Sequence, residues 1–192
     1  MPAAGIELLV KGAGPVGCAA ALALHQAGKR VALFAPEARE AGFRPIVLSY
    51  ASRLILERLG AWQGLASTPI DTIHVSQAGG FGRTVFGAAD CGVPALGYVT
   101  EYSLLTQALR TLARDLQSTD EKPALCVVHA EGTAPDAEEK RYAQDALVAK
   151  VRLAPGPKGT AIERFTSQGP LALLPLEGRY ASLDGSVVPL RA

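Results

Sequence analysis

The sequence predicts an α/β protein in which a βαβ unit near the N-terminus is followed by an antiparallel sheet. Two short apolar runs, residues 6–10 and 30–34, flank an alanine-rich segment with helical character, the pattern of parallel strands joined by a helix. The same segment has the spacing G-x-G-x-x-G at Gly12, Gly14 and Gly17. From residue 133 onward, short apolar runs are separated by Gly/Pro turns, which predicts antiparallel strands.

The bounds of the βαβ unit come from its turn residues. The first strand, residues 6–10, is apolar and ends before Gly12. The helix, residues 15–27, has proline in its first turn and Gly28 just beyond its end. The second strand, residues 30–34, completes a unit of normal size, and its crossover is expected to be right-handed.

The middle of the chain combines two helices with a hairpin. Residues 49–59 are predicted to be helical, with Ser49 or Ser52 as the cap. The runs TIHVS and RTVF flank QAGGFG and predict a hairpin, and ALGYVT predicts a further strand. Residues 101–116 form the clearest amphipathic helix. Its apolar stripe is expected to comprise Leu104, Ala108, Leu112 and Leu116, widened by Leu105 and Leu109.

The later part of the chain contains no strongly predicted helix. The run PALCVVHAEG predicts a buried strand that ends in a turn, and DALVAKVRL, TAIERF and LALLPL predict antiparallel strands. Residues 182–192 are weakly patterned, which predicts a poorly ordered tail.

Composition excludes several classes of function. The chain has 192 residues and a net charge of +1, so it lacks the basic surface expected for nucleic-acid binding. Three widely spaced cysteines favour neither a disulfide framework nor a zinc site. We recognise no signal peptide and no apolar run of about 18 residues that would span a membrane. A reduced cytoplasmic setting is therefore expected.

The three glycines have a mechanical explanation in a nucleotide-binding turn. Gly12 permits the tight turn, Gly14 lets the backbone approach a pyrophosphate, and Gly17 lets the helix pack close to the strand. The N-terminus of the helix then presents free N–H groups and the positive end of its dipole to the phosphates. A tight βα turn without a ligand is the structural alternative.

The acid that usually binds an adenosine ribose is missing from the end of the second strand. Ala35 occupies the strand-end position, and Glu37 is the nearest acid beyond it. Glu37 would reach the ribose if the chain turns there, or it is a solvated loop residue, and both interpretations stay open. Arg39 fits the pattern of a 2′-phosphate contact only loosely.

The ordered set of motifs resembles a known enzyme family. The runs GAGPVGCAAALALHQAGKRVAL, RPIVLSYASRLILERLGAW, IHVSQAGGFGRT, GYVTEYSLLTQAL and ERFTSQGPLALLPL follow one another as in the FAD-dependent aromatic hydroxylases of ubiquinone biosynthesis, which are class A flavoprotein monooxygenases. The resemblance implies a Rossmann-like FAD-binding βαβ sheet with an appended, incomplete antiparallel substrate sheet. It also implies hydroxylation of a polyprenylated phenol with NAD(P)H and O2.

The resemblance also implies cofactor-binding residues. The residues expected to lie against the FAD pyrophosphate are Gly12, Gly14, Pro15, Val16 and Gly17. Arg44 matches an arginine that reaches the FAD phosphate and ribityl side, and Gln107 lies on a helix whose polar residues face the cofactor. Glu131 and Gly132 match an Ala-Asp-Gly motif that contacts the flavin or the nicotinamide, with Glu in place of Asp. Ala35 and Glu37 complete the set at the ribose end. No catalytic side chain and no metal ligand is expected.

The same resemblance divides the chain and exposes two departures. Residues 1–69 and 97–132 would form the FAD-binding part, and residues 70–96 and 133–181 a partial substrate sheet. The segment between Leu116 and Ala124 is shorter than in the family, and the Gly-Asp motif that contacts the ribityl chain is absent. The sequence is therefore interpreted as an internally shortened and C-terminally truncated member.

The implied partners and the alternatives follow from this interpretation. The partners would be the phenol, proteins of ubiquinone biosynthesis and at most a peripheral membrane contact. Two alternatives stay open: a catalytically inactive FAD- or ADP-binding remnant of the family, and an NAD(P)-binding protein.

Overall fold

The computed structural model describes residues 5–35, 42–132, 138, 140, 145–152, 158–178 and 180–187. Within these ranges the helices are α1 (Pro15–Gln26), α2 (Tyr50–Arg58) and α3 (Tyr102–Leu112), with a 3₁₀ turn at Arg114–Leu116. The strands are β1 (Ile6–Lys11), β2 (Val31–Phe34), β3 (Pro45–Ser49), β4 (Thr68–Ile70), β5 (Thr72–Gln77), β6 (Arg83–Gly87), β7 (Gly97–Glu101), β8 (Gln117–Ser118), β9 (Ala124–His129), β10 (Asp145–Arg152), β11 (Thr160–Thr166), β12 (Gly169–Pro175) and β13 (Tyr180–Val187).

The described chain divides into two compact units. The first is built from Met1–Gly42, Ile55–Leu65 and Tyr102–Glu139, and the second from Phe43–Leu54, Ala66–Glu101 and Lys140–Ala192. Residues 43–54, 66–69 and 97–101, which the sequence-based division assigns to the FAD-binding part, group with the second unit. The functional division into cofactor and substrate parts stays a prediction.

The first unit contains a four-stranded parallel sheet with the order β8-β2-β1-β9. The predicted βαβ unit is confirmed, because α1 connects the parallel neighbours β1 and β2. Helices α1 and α3 pack against each other, and α1 also contacts β1 and β2. The largest fully buried side chains of this unit are Leu33, Leu109, Val10 and Cys18.

Helix α3 buries the Leu105–Leu109 part of the predicted stripe and leaves the Leu104–Leu112 part exposed. Leu105 and Leu109 are buried, and Ala113 just beyond the helix is fully buried, whereas Leu104 and Leu112 are 39% and 45% exposed. Both rows of leucines have the i, i+4 spacing that places side chains on one face. The contact with α1 determines which row is buried, and the spacing of the leucines alone does not predict that contact.

The second unit contains a six-stranded sheet and a three-stranded sheet. The six-stranded order is β10-β13-β12-β11-β5-β6, and the β3-β7-β4 sheet is antiparallel. The predicted hairpin is confirmed as β5 and β6. A buried cluster of Ile70, Val99 and Ala161 is packed against Ile73, Leu96, Leu174 and Leu176.

Two features of the second unit differ from the sequence-based expectation. Tyr180–Val187 forms β13, which pairs with both β10 and β12. The expectation of a poorly ordered tail is therefore wrong for residues 182–187. The weak local pattern of this segment is outweighed by backbone pairing on both sides, which is a non-local effect. Strand β11 pairs antiparallel with β12, as predicted for the strands from residue 133 onward, and pairs in parallel with β5 of the hairpin, which the sequence does not predict.

Candidate cofactor-binding site

The glycine loop, residues 12–17, joins the end of β1 to the first turn of α1. Gly12 has φ +102, a conformation that side-chain-bearing residues rarely adopt. Gly14 is the N-cap of α1, and Pro15 occupies the first turn. The first intrahelical hydrogen bond runs from the Cys18 N–H to the Gly14 carbonyl at 3.0 Å. The turn therefore has the strand–glycine–helix form that the sequence predicts.

The loop is packed without space for side chains at two of its glycines. A Cβ atom on Gly17 would lie 1.8 Å from the Gly12 carbonyl oxygen, so α1 directly contacts the backbone of the turn. A Cβ atom on Gly12 would lie 2.5 Å from the Ala130 carbonyl oxygen. The Ala130 N–H also donates to the Lys11 carbonyl at 2.8 Å. The loop is thus fixed between α1 and the end of β9.

The start of α1 is chemically suited to an anion. Pro15 has no N–H, so the first-turn donors without an intrahelical acceptor are those of Val16 and Gly17. No side-chain hydrogen bond caps Gly14, and the first turn contains no acidic residue. The Val16 side chain is 74% exposed at the same place. A phosphate at this helix end would meet N–H donors and a favourable dipole.

Tyr102 is a residue of this site that sequence reasoning missed. A Cβ atom on Gly14 would lie 3.0 Å from the Tyr102 hydroxyl oxygen. Tyr102 is the first residue of α3, far from the glycine loop in sequence. Its phenol adds a polar group beside the backbone that a pyrophosphate would approach. No local sequence signal identifies it, because the contact between α1 and α3 creates it.

The ribose end of the site is built differently from the usual acid-containing form. The Ala35 N–H donates to the Ser118 carbonyl at 3.0 Å, which places β8 beside the end of β2. The sequence predicts no strand immediately after Leu116, where the family resemblance implies a shortened segment, so β8 is a feature that only the structure shows. Glu37 lies outside the described residues, so both interpretations of it stay open.

The end of β9 places the matched Ala-Glu-Gly segment beside the glycine loop. A Cβ atom on Gly12 would lie 2.9 Å from the Glu131 Cα, and Gly132 has φ +82. The Glu131 carboxylate accepts a hydrogen bond from His129 Nδ1 at 2.8 Å. Lys11, which immediately precedes the glycine loop, forms an ion pair with Glu121, with Nζ 2.7 Å from Oε2.

Two further predicted site residues, Gln107 and Arg44, are exposed. Gln107 lies on the exposed surface of α3, and its backbone carbonyl accepts a hydrogen bond from the Thr111 hydroxyl at 2.8 Å. Arg44 is exposed and precedes β3 in the second unit. The contacts of Gln107 and Arg44 with a cofactor stay predictions.

The three thiols are expected to differ in reactivity. Cys18 is fully buried in α1, burial raises the pKa of its thiol, and Sγ donates to the Ala13 carbonyl at 3.5 Å. Cys91 and Cys126 are exposed. Because only the thiolate reacts, we expect Ellman's reagent to modify Cys91 and Cys126 rapidly. Cys18 should react at least about a hundredfold more slowly, because its thiol becomes accessible only through local unfolding. All three should react at once in urea, and rapid reaction of all three in native buffer would contradict the assignment.

The described residues contain neither a candidate metal cluster nor a helix that could cross a bilayer. No group of three or more His, Cys, Asp or Glu side chains that could hold a metal ion occurs among them. None of the helices in the described ranges is long and apolar enough to cross a bilayer.

The chain is similar to hydroxylases of the ubiquinone pathway. No protein-family model matches it. It is 29% identical to ubiquinone hydroxylase UbiL of Rhodospirillum rubrum, over 92% of this chain and 51% of that protein. It is also 29% identical to 3-demethoxyubiquinol 3-hydroxylase of Escherichia coli, over 92% of this chain and 56% of that protein. The chain thus spans about half the length of the curated relatives it matches.

A solved structure confirms the predicted fold class. HpxO of Klebsiella pneumoniae, crystallised with FAD and uric acid, matches with a TM-score of 0.74 and 15% identity, over 97% of this chain and 57% of that chain. The fold is therefore the Rossmann-like α/β fold of flavin-dependent monooxygenases with additional antiparallel strands. The match to UbiL extends over 218 residues, more than the 192 of this chain, so the relative has residues within the matched region that this chain lacks.

Proposed function

We propose that this chain, a relative of the ubiquinone-pathway hydroxylases, binds FAD at the glycine loop and serves the hydroxylation of a polyprenylated phenol. One observation carries the cofactor assignment. The loop holds Gly12 and Gly17 so close to backbone atoms that no side chain fits, and α1 begins there without an acidic residue or a side-chain cap. A loop with these properties leaves backbone donors for a pyrophosphate.

The residues of the first unit would hold the phosphates, and each has a separate part. The N–H groups of Val16 and Gly17 would donate to pyrophosphate oxygens, and Gly14 would allow the close approach. The Tyr102 hydroxyl beside Gly14 would add a further donor at the edge of the phosphate site. Gln107, Arg44, Ala35, Glu37, Glu131 and Gly132 are proposed as the more distant contacts along the cofactor.

The redox chemistry would belong to the cofactor. When bound, FAD supplies the route by which electrons from NAD(P)H and oxygen from O2 reach an aromatic ring. Among the described residues we find no cluster of side chains that would replace this chemistry. The protein's contribution is to bind, orient the rings and exclude water.

The substrate class is proposed from the relatives. One is a ubiquinone hydroxylase and the other a 3-demethoxyubiquinol 3-hydroxylase, which supports a polyprenylated phenol of the same pathway. Proteins of that pathway would be its partners, in the cytoplasm. Because such a substrate carries a long apolar chain, we propose a peripheral membrane contact.

FAD binding by the purified chain is the direct test. We expect bound flavin to absorb in the visible range, and titrated FAD to lose fluorescence as it binds. ADP should compete with FAD, because the glycine loop contacts the phosphate half that the two ligands share. NADPH should compete only weakly. Oxidation of NADPH that increases with an added polyprenylated phenol then tests the proposed reaction itself.

Three outcomes would count against the proposal. A chain that purifies without flavin and takes up no added FAD would refute the cofactor assignment. Tighter binding of NADPH than of FAD would favour the NAD(P)-binding alternative. FAD binding without phenol-dependent NADPH oxidation would favour the inactive remnant, whose site binds the cofactor but does not turn over.

A further inference from the structure

The β5–β6 hairpin exposes a long, largely apolar stretch of chain. Every residue from 77 to 86 is exposed. Phe81 is fully exposed at 111%, and Val85 and Phe86 are 55% and 48% exposed. No acidic residue occurs between Asp71 and Asp90, and Arg83 is the one charged residue in that interval. Exposed apolar side chains that lie together at the surface are a feature of interaction sites.

The tip of the hairpin carries one large side chain among glycines. Gly79, Gly80 and Gly82 surround Phe81, and Gly79 has φ +74. A Cβ atom on Gly79 or Gly82 would meet nothing within 4 Å. Phe81 therefore projects from a tip whose neighbouring positions carry no side chain. A single projecting aromatic ring can insert into a lipid bilayer without a preformed pocket, whereas a protein partner would need a pocket of matching shape.

Two arginines lie on one face of the sheet at the base of this tip. Arg83 of β6 pairs with Ser76 of β5, and Ser76 pairs with Arg164 of β11. Directly paired residues share a face, so the two arginines stand about 10 Å apart, or two strand spacings, on the same side. Both are exposed. Arg83 is two residues from Phe81, at most about 7 Å along the chain.

We propose that this hairpin contacts an anionic lipid bilayer, with Phe81 in the acyl boundary and Arg83 and Arg164 at the headgroup phosphates. Interfacial segments insert about 5–10 Å, which matches the offset between the ring and the arginines. The absence of acidic residues in the hairpin makes its charge complementary to anionic lipid. The biological purpose, access to a polyprenylated substrate, rests on the proposed function, but the bilayer contact itself does not.

Vesicle sedimentation tests this contact. We expect the wild-type chain to sediment with vesicles of phosphatidylserine and phosphatidylcholine, and much less with phosphatidylcholine alone. Phe81→Ser should lower the partition coefficient about tenfold, since the aromatic surface no longer leaves water. Arg83→Gln and Arg164→Gln should each lower it about fivefold and reduce the dependence on salt.

A matched control and a spectroscopic measurement make the test specific. Leu125 is 87% exposed on β9, outside the hairpin, so Leu125→Ser removes an exposed apolar side chain that the proposal does not involve and should leave partition unchanged. Trp62 is the single tryptophan, so Phe81→Trp in a Trp62→Phe chain reports the tip alone. Its emission should shift to the blue when anionic vesicles are added.

The proposal is overturned if the wild-type chain sediments with neither vesicle type, or if Phe81→Ser binds anionic vesicles as tightly as the wild type. It is also overturned if Leu125→Ser loses the same affinity, which would mean non-specific adsorption. A concentration-dependent dimer that Phe81→Ser abolishes, with no vesicle binding, would instead assign the hairpin to a second copy of the chain. FAD titration of the same variants keeps the two proposals separate, because flavin binding and vesicle binding can each fail alone.

Discussion

Gly17→Ala is expected to destabilise the first unit by roughly 3 kcal/mol or more, a large part of a typical domain's stability. The new Cβ atom would lie 1.8 Å from the Gly12 carbonyl oxygen and 3.3 Å from the Ala130 Cβ. The nearest atom belongs to the backbone, so no side-chain rotation relieves the overlap, and α1 must move away from β1. In an unobstructed helix, Gly→Ala stabilises by about 1 kcal/mol, so the sign of the effect itself tests the packing.

Urea denaturation followed by circular dichroism measures this change, and FAD titration measures its functional consequence. Gly28→Ala is the matched control, because Gly28 has φ +79 but a Cβ atom there meets nothing within 4 Å. It should cost only about 1 kcal/mol, the backbone term alone. Equal stability losses for Gly17→Ala and Gly28→Ala would contradict close packing of α1 on the glycine loop.

Gly14→Ala should have the opposite profile, with little loss of stability and a large loss of flavin affinity. Gly14 has φ −75, which any residue adopts, and the nearest atom to a new Cβ is the Tyr102 hydroxyl oxygen at 3.0 Å. That oxygen is the far end of a side chain that can move slightly. We expect a stability loss below about 1 kcal/mol, mainly from the poorer N-cap.

Flavin affinity, in contrast, should fall by about tenfold or more for Gly14→Ala, because the methyl group stands where a pyrophosphate must approach the backbone. The double variant Gly14→Ala with Tyr102→Phe removes the nearest contact of the new methyl group. It should regain any stability lost to that contact. Because the Tyr102 hydroxyl is itself a proposed phosphate donor, Tyr102→Phe alone is the reference for FAD affinity, and the double variant should still bind about tenfold more weakly than that reference. Unchanged FAD affinity in Gly14→Ala would show that the phosphates do not approach at this glycine.

The two glycine variants together separate folding from binding. Gly17 fixes the distance between α1 and the turn, whereas Gly14 faces the side from which a phosphate would come. If both variants lost flavin only in proportion to their lost stability, the loop would be a structural turn. The proposed function therefore depends on Gly14 losing binding without losing the fold.

Local sequence patterns were sufficient for the parts of the molecule that depend on neighbouring residues. The βαβ unit, the glycine turn and the β5–β6 hairpin were all predicted and are present, because turn conformation and strand periodicity are short-range properties. The helix at residues 49–59 is present as α2, and the Ser52 N–H donates to the Ser49 hydroxyl at 3.1 Å, so Ser49 serves as the cap.

Long-range contacts explain what the sequence did not predict. The sequence predicts neither β3 nor the two-residue β8. In the structure β3 pairs with β7 and β8 pairs with β2, and these neighbouring strands satisfy their backbone groups. The buried stripe of α3 is the Leu105–Leu109 row because α1 packs on that side. A pattern that repeats every four residues leaves the choice between adjacent rows to the packing partner.

For the candidate site, local sequence is sufficient to specify the glycine turn, since the positive φ of Gly12 and the contact between Gly17 and the Gly12 carbonyl lie within a few residues. Only the tertiary structure brought the Tyr102 hydroxyl to Gly14 and the Ala130–Glu131 backbone to Gly12. It also placed Ser118 beside Ala35, where the usual acid is missing. These groups are far apart along the chain, and helix packing and strand pairing bring them together. Local sequence patterns therefore do not predict their proximity.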